Sequence, residues 1–281
     1  MPVYDFEGNK IDVSNNAVNN GCDNTGVVET SSAIQKYINE NRFCYFPSGT
    51  YLMTAIVYIP SNTVIYCEPN TVFKRGSNIT CMFTSAGDST ITEYNGVHDI
   101  LFHGATFDQN GENHSYNCTS VAFVHAQRVF IENCKFINQA NSWHQIELSA
   151  CKHSKIRDCY FDCSPINNSP TEAIQIECPY NSDAWPWSNG AIDRTPSRYN
   201  EVSGCVFYNG IVAIGNHGGG VASYTDIHDC VFDTFSGVVV QFYGGANNMV
   251  HDCTAIDCAS DLIRTNTAIA YNNYMNGTFT A

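Results

Sequence analysis

Ile156-Arg157-Asp158-Cys159-Tyr160-Phe161 is one copy of a hexapeptide whose recurrence decides the fold. Its sisters are Ile131-Glu132-Asn133-Cys134-Lys135-Phe136, Val202-Ser203-Gly204-Cys205-Val206-Phe207, Ile227-His228-Asp229-Cys230-Val231-Phe232 and Val250-His251-Asp252-Cys253-Thr254-Ala255. An earlier copy, Phe102-His103-Gly104-Ala105-Thr106-Phe107, has Ala in place of Cys. The third position is always Asn, Asp or Gly, the residues that tolerate left-handed backbone, so each copy is expected to bend sharply between two short strands. Apolar residues on either side of the bend then point into one core.

Working outward, the five Cys are separated by 25, 46, 25 and 23 residues, a period that implies stacked coils burying their apolar faces against one another. A further strand precedes each bend: Val121-Ala122-Phe123-Val124, Gln145-Ile146-Glu147-Leu148, Ile174-Gln175-Ile176, Val212-Ala213-Ile214 and Val238-Val239-Val240. Only one such strand lies in the 46-residue gap, which therefore holds one coil and a long loop at 179–199. Helical periodicity is almost absent after residue 45. The expectation is an all-β chain, a single-stranded right-handed parallel β-helix. It forms one domain over 1–281, with an N-terminal cap and first coil at 1–53 and coils at 54–281. In the cap, Thr30-Ser31-Ser32 is expected to start an amphipathic helix with Ile34, Tyr37 and Ile38 on its buried face, covering the open first coil.

Composition narrows the function. The chain has 281 residues, 14% of them charged, and a formal net charge of −14, so nucleic acid, which needs Lys and Arg clusters, is not an expected partner. Of 14 Cys, the five at the repeat position are expected as free thiols packed like small hydrophobes. No CxxC pair suggests zinc, and no metal is expected. No apolar leader follows Met1 and no run approaches ~18 apolar residues, so no membrane span is expected. The location expected is extracellular or virion-associated, with a leader removed or release by lysis.

Two segments carry a family resemblance. Asp23-Asn24-Thr25-Gly26 leading to Ser32-Ala33-Ile34-Gln35-Lys36 resembles the opening segment of the pectate lyase and polygalacturonase superfamily. Phe46-Pro47-Ser48-Gly49-Thr50-Tyr51 is similar to its F-P-x-G-x-Y element. The resemblance covers the cap and the coils. It implies the same β-helix, in a superfamily that includes hydrolases, lyases, epimerases and phage tailspikes. Glu172-Ala173-Ile174-Gln175-Ile176 resembles the polygalacturonase D-D-x-I-x-I strand, with Glu172 replacing the second Asp and Thr171 standing where the first would be. His144-Gln145-Ile146-Glu147 falls one coil earlier, where that family places another catalytic Asp.

Aligning the pre-bend strands by their apolar residues matches Ile146 with Ile174 and Val212, and Leu148 with Ile176 and Ile214. Glu147, Gln175 and Ala213 then form one outward column and Ser149, Glu177 and Gly215 the next, while His144, Glu172 and Gly210 meet at the strand entrance. Glu147 and Glu177 lie on a diagonal of roughly 8 Å, from strand spacing and rise. Inverting glycosidases hold their carboxyls about 6.5–9.5 Å apart. Catalytic candidates are therefore Glu172, Glu147 and Glu177, with Glu172 as acid. His144, Gln175 and His217 are candidates to orient hydroxyls, and Gln241 extends the Gln175 column. In the loop, Trp185 and Trp187 are candidates for sugar stacking and Arg194 for a substrate carboxylate. The loop at 108–114 is expected to close the other side of the groove. His228 and His251, at the free bend position, are expected as exposed filler.

Three functions fit: a glycoside hydrolase acting on a polysaccharide, a polysaccharide lyase using Ca²⁺ or Arg, and a trimeric phage tail or adhesin that binds glycan without cleaving it.

Overall fold

The computed structural model describes residues 13–140, 143–164, 172–181, 189–259, 261–265, 268–275 and 278–280. Its backbone is a right-handed parallel β-helix. Three long sheets of 11, 9 and 8 strands run along the coil axis, with a short sheet of three strands at one corner. Every pairing is parallel except that of Asn273–Met275 with Thr278–Thr280. Among the described residues no helix is long and apolar enough to cross a membrane.

The hexapeptide behaves as its chemistry requires. Asn133, Asp158, Gly204, Asp229 and Asp252 have φ between 52° and 63°, and Gly104 has 81°. Each bend lets the chain leave the nine-stranded sheet and enter the eleven-stranded one. The next residue, Cys, points inward: Cys134, Cys159, Cys205, Cys230 and Cys253 are all buried and free. Their carbonyls accept the amides of the following coil, Tyr160, Val206, Val231, Thr254 and Tyr274, at 2.8–2.9 Å. Two residues on, Phe73, Phe107, Phe136, Phe161, Phe207 and Phe232 form a stack with successive ring centroids 5.8, 4.9, 4.8, 4.6 and 5.2 Å apart. These two ladders fix the rise from coil to coil.

The helix spans Ser31–Glu40 and buries Ile34, Tyr37 and Ile38 against the first coil. It is not capped as the sequence suggests. The Thr30 side chain makes no cap bond and instead accepts the Asp23 amide at 2.9 Å. Ser31 Oγ accepts the amides of Thr54 and Ala55, so the hydroxyls bind the helix to its neighbours.

The eight-stranded sheet carries the pre-bend strands: Thr119–Val124, Ile146–Ser149, Glu172–Glu177, Val212–Gly215 and Val240–Phe242 among them. The last lies two residues beyond its expected place. The register between the second and third is as aligned, with Ile146 opposite Ile174, Glu147 opposite Gln175 and Ser149 opposite Glu177. The fourth strand differs: Ile214, not Val212, stands opposite Ile174, and Val212 faces Glu172. Gly215 therefore takes the place expected for Ala213 in the Gln175 column, and Gln241 follows it. Gly210 does not join Glu172. Val212 and Ile214 have the same parity and are both apolar, so alternation alone does not separate two alignments shifted by two residues.

His228 and His251 are not exposed filler. They stack on each other at 5.1 Å and pair with Asp229, Asp252 and Asp226 at 2.7–3.0 Å.

Candidate active site

The site grows from the strand Glu172–Glu177. Ile174 and Ile176 enter the core, so Gln175 and Glu177 point outward. Strict alternation would send Glu172 inward. Instead both Ala173 and Ile174 join the core, and Glu172 turns out over Gly215, where an added Cβ would come within 3.1 Å of its Cγ. The small side chain of Ala173 permits this break in alternation.

Six predicted residues meet here: His144, Glu147, Glu172, Gln175, Glu177 and His217. His144 Nδ1 donates to the Glu172 carbonyl oxygen at 2.7 Å and lies 3.8 Å from Glu172 Oε2. His217 bridges two acids, its Nε2 3.6 Å from Glu172 Oε2 and its Nδ1 3.7 Å from Glu177 Oε2. Gln175 Nε2 is 2.9 Å from His217 Nδ1, and its amide also reaches Glu177 and His144. Glu147 stands beside Gln175 on the neighbouring strand.

The outward column is roofed rather than solvated. Glu147, Glu172 and Glu177 are 3%, 5% and 0% exposed, whereas the His217 side chain is 44% exposed. The roof over Glu177 is the turn after Gly215. An added Cβ on Gly220 would meet Glu177 Cβ and Oε2 at 2.8 Å, and one on Gly219 would meet the Tyr180 ring at 2.6 Å. These glycines serve close approach, not positive φ. Asn216 anchors the turn to the next coil, accepting the Tyr243 amide and donating to the Gly244 carbonyl.

Burial dominates the electrostatics. Desolvation pushes Glu177 up to about 8, against the Gln175 and His217 hydrogen bonds that favour its charged form. Glu147 is raised well above the usual carboxylate range by burial and by Glu177 and Glu172. Glu172 is raised by burial and drawn back by His217. His144, fully enclosed, falls to about 3 and is a neutral ring at pH 7. Tyr180, beside the acids, rises to about 12 through burial first and then the charge of Glu177. Among the described residues no Lys or Arg pairs with the three carboxyls; the ring nitrogens 3.6–3.8 Å from Glu172 and Glu177 belong to His144 and His217.

Other expectations land elsewhere. Trp185 and Trp187 lie outside the described residues. Arg194 is exposed, its amide bonded to the Pro179 carbonyl. The described end of its loop runs back over earlier coils: Asn189 donates to Thr84 Oγ1 and the Ser85 carbonyl, and Asp193 accepts the Glu93 amide. In the loop at 108–114, Gln109 does more than close a side. It is buried and donates to the His144 carbonyl at 2.9 Å and to Ser120 Oγ at 3.1 Å, fixing the His144 backbone. The sequence places Gln109 and Tyr180 only in loops beside the groove, since both sit where the coil register is interrupted and alternation assigns them no direction.

Known proteins place this geometry in context. The structure is similar to PfbA, a surface adhesin of Streptococcus pneumoniae, with TM-score 0.78 and 18% identity over 93% of this chain and 72% of that one. It is similar to an exopolygalacturonase of Thermotoga maritima, with TM-score 0.61 and 11% identity over 92% and 78%. A 1,3-alpha-1,4-beta-D-galactose-4-sulfate-3,6-anhydro-D-galactose-2-sulfate 4 galactohydrolase gives TM-score 0.61 and 13% identity over 86% and 72%. At such identities the likeness is one of fold. The comparison with curated proteins finds no match. The family model described as rhamnogalacturonase A/epimerase, pectate lyase-like, matches residues 14–278, and the chain belongs to that family.

Proposed function

We propose that the protein hydrolyses a glycosidic bond of a polysaccharide, with Glu172 donating a proton to the leaving oxygen. Glu177 is the partner that activates water, with Glu147 behind it. The observation that carries this reading is the arrangement around His217: two carboxyl groups approach opposite nitrogens of one exposed ring. The ring keeps the acids apart instead of in contact, as an inverting pair needs room for a water. Burial raises Glu172, which favours the protonated form a proton donor needs. Glu177 must be ionised to take a proton from water, a form that gains as pH rises towards about 8. Gln175 and His217 orient the sugar hydroxyls, and His144 supports Glu172 from below.

The test is turnover on rhamnogalacturonan, polygalacturonate and a sulfated galactan, read by mass spectrometry of released oligosaccharides. Glu172→Gln and Glu177→Gln should each lower turnover by at least about 10²-fold, the usual worth of a positioned acid or base, with the circular dichroism spectrum unchanged. Wild-type turnover in both variants would sink the assignment.

One observation favours a second reading. The exposed group of the cluster is His217, not a carboxyl, and Tyr180 lies beside the acids. A lyase would use His217 as base, and its unsaturated product would absorb in the ultraviolet while the hydrolase product would not. Binding to a glycan with no released fragment would instead favour an adhesin.

A further inference from the structure

Beyond sugar chemistry, two imidazoles and a carboxylate converge at the mouth of the cluster. We propose that His144, Glu172 and His217 bind one divalent transition-metal ion of the zinc class, a departure from the expectation of no metal. Each offers one ligand atom, and the three atoms lie within 4.8 Å of one another. Two imidazoles with one Glu is a donor set of catalytic zinc sites, which hold the ion at about 2.0–2.2 Å and leave a fourth position for water. Imidazole selects zinc, copper, nickel or iron over calcium and magnesium, which take oxygen ligands.

Independent observations point to a ligand. Glu172 Oε2 is buried without a hydrogen-bond partner, in a side chain 6% exposed. A buried acceptor left unmatched is costly, and a cation would satisfy it. The surrounding bonds also orient the rings. His144 Nδ1 donates to the Glu172 carbonyl at 2.7 Å, which leaves the Nε2 lone pair for a metal. Gln175 Nε2 lies 2.9 Å from His217 Nδ1 and fixes the plane of that ring, with His217 Nε2 3.6 Å from Glu172 Oε2 on the side of the proposed ion. The exposed side of His217 is the way in. All fourteen thiols are buried and do not compete at the surface.

The two readings share Glu172, and a carboxylate that ligates zinc has no proton to donate, so zinc at this site should suppress hydrolysis. Binding is measured without sugar, so an inactive protein leaves the metal site intact and a failure to bind zinc leaves the hydrolase intact. The experiment is calorimetric titration of Zn²⁺ into the full metal-stripped chain at pH 7 under a phosphine reductant, with equilibrium dialysis for stoichiometry. One Zn²⁺ per chain is expected, weakened at least about tenfold by His217→Ala and by Glu172→Gln, since even orienting residues of such sites are worth 10–100-fold. A large excess of Ca²⁺ should not displace it. His217 is exposed, so its truncation spares the fold, and circular dichroism checks this. Two stacked imidazoles also meet carboxylates where His228 pairs with Asp229 and His251 with Asp226, and the His228→Ala/His251→Ala variant should bind as the parent does. No saturable binding, equal affinity in His217→Ala, or loss only in the His228/His251 variant would each overturn the site.

Discussion

One Asn, Asp or Gly turns each hexapeptide corner. Asn133 sits at φ 54° with its amide bonded to the Arg157 carbonyl, and Asp158, Asp229 and Asp252 repeat the conformation. For an L-residue this backbone costs roughly 1–2 kcal/mol, least for Asn, Asp and Gly. Asn133→Val should therefore lower stability by about 1–2 kcal/mol and Asn133→Gly by clearly less, as read by urea denaturation. Equal losses would mean that side-chain contacts rather than backbone conformation select the residue. These corners were legible because the constraint is local: no neighbouring coil is needed to make a β-branched residue unfavourable at positive φ.

At the scale of elements, the Phe ladder and the turn at 216–220 behave differently. Phe161 is buried between Phe136 at 4.8 Å and Phe207 at 4.6 Å. Phe161→Ala should cost about 3–5 kcal/mol, because coils held on both sides cannot collapse into the space. That ladder was readable in the spacing of the hexapeptide. The turn was not. Gly215 to Gly220 reads in sequence as a flexible run, yet its backbone lies directly against Glu177 and Tyr180. Gly220→Ala should push the Glu177 wall outward and reduce turnover while leaving the melting temperature within a few degrees. A melting temperature that falls steeply with it would make the turn a structural element only.

For the whole molecule, the buried thiols govern pH behaviour. Burial pushes Cys44, Cys118 and Cys151 up to about 12, and Cys22 to about 11. In the unfolded chain these thiols titrate near 9. The unfolded state thus loses protons that the folded state keeps. The contribution of the thiols is complete below about pH 9 and falls as pH rises from there towards 12, by up to about 1.4 kcal/mol per pH unit for each such thiol. It adds to the loss that the raised Glu177 carboxyl brings as pH rises from 4.5 towards about 8. Melting temperatures under reductant should fall more steeply between about pH 9 and 10 than between about pH 8 and 9. A flat profile would show that the thiols are not enclosed as described.

Within the sequence alone lay the coil: where it bends, which residues enter it, and that Glu147, Gln175 and Glu177 share one outer wall. Those properties follow from backbone sterics and period-2 alternation, which act over a few residues. Only the tertiary structure decided the rest. A shift of two residues conserves the apolar face, so the pairing of Ile214 with Ile174, and with it the approach of His217 to Glu172 and Glu177, depended on how coils of unequal length stack. Burial of the three acids likewise required a turn and loops from other coils to cover them, and it is that removal from water which raises Glu147, Glu172 and Glu177 above the usual carboxylate range.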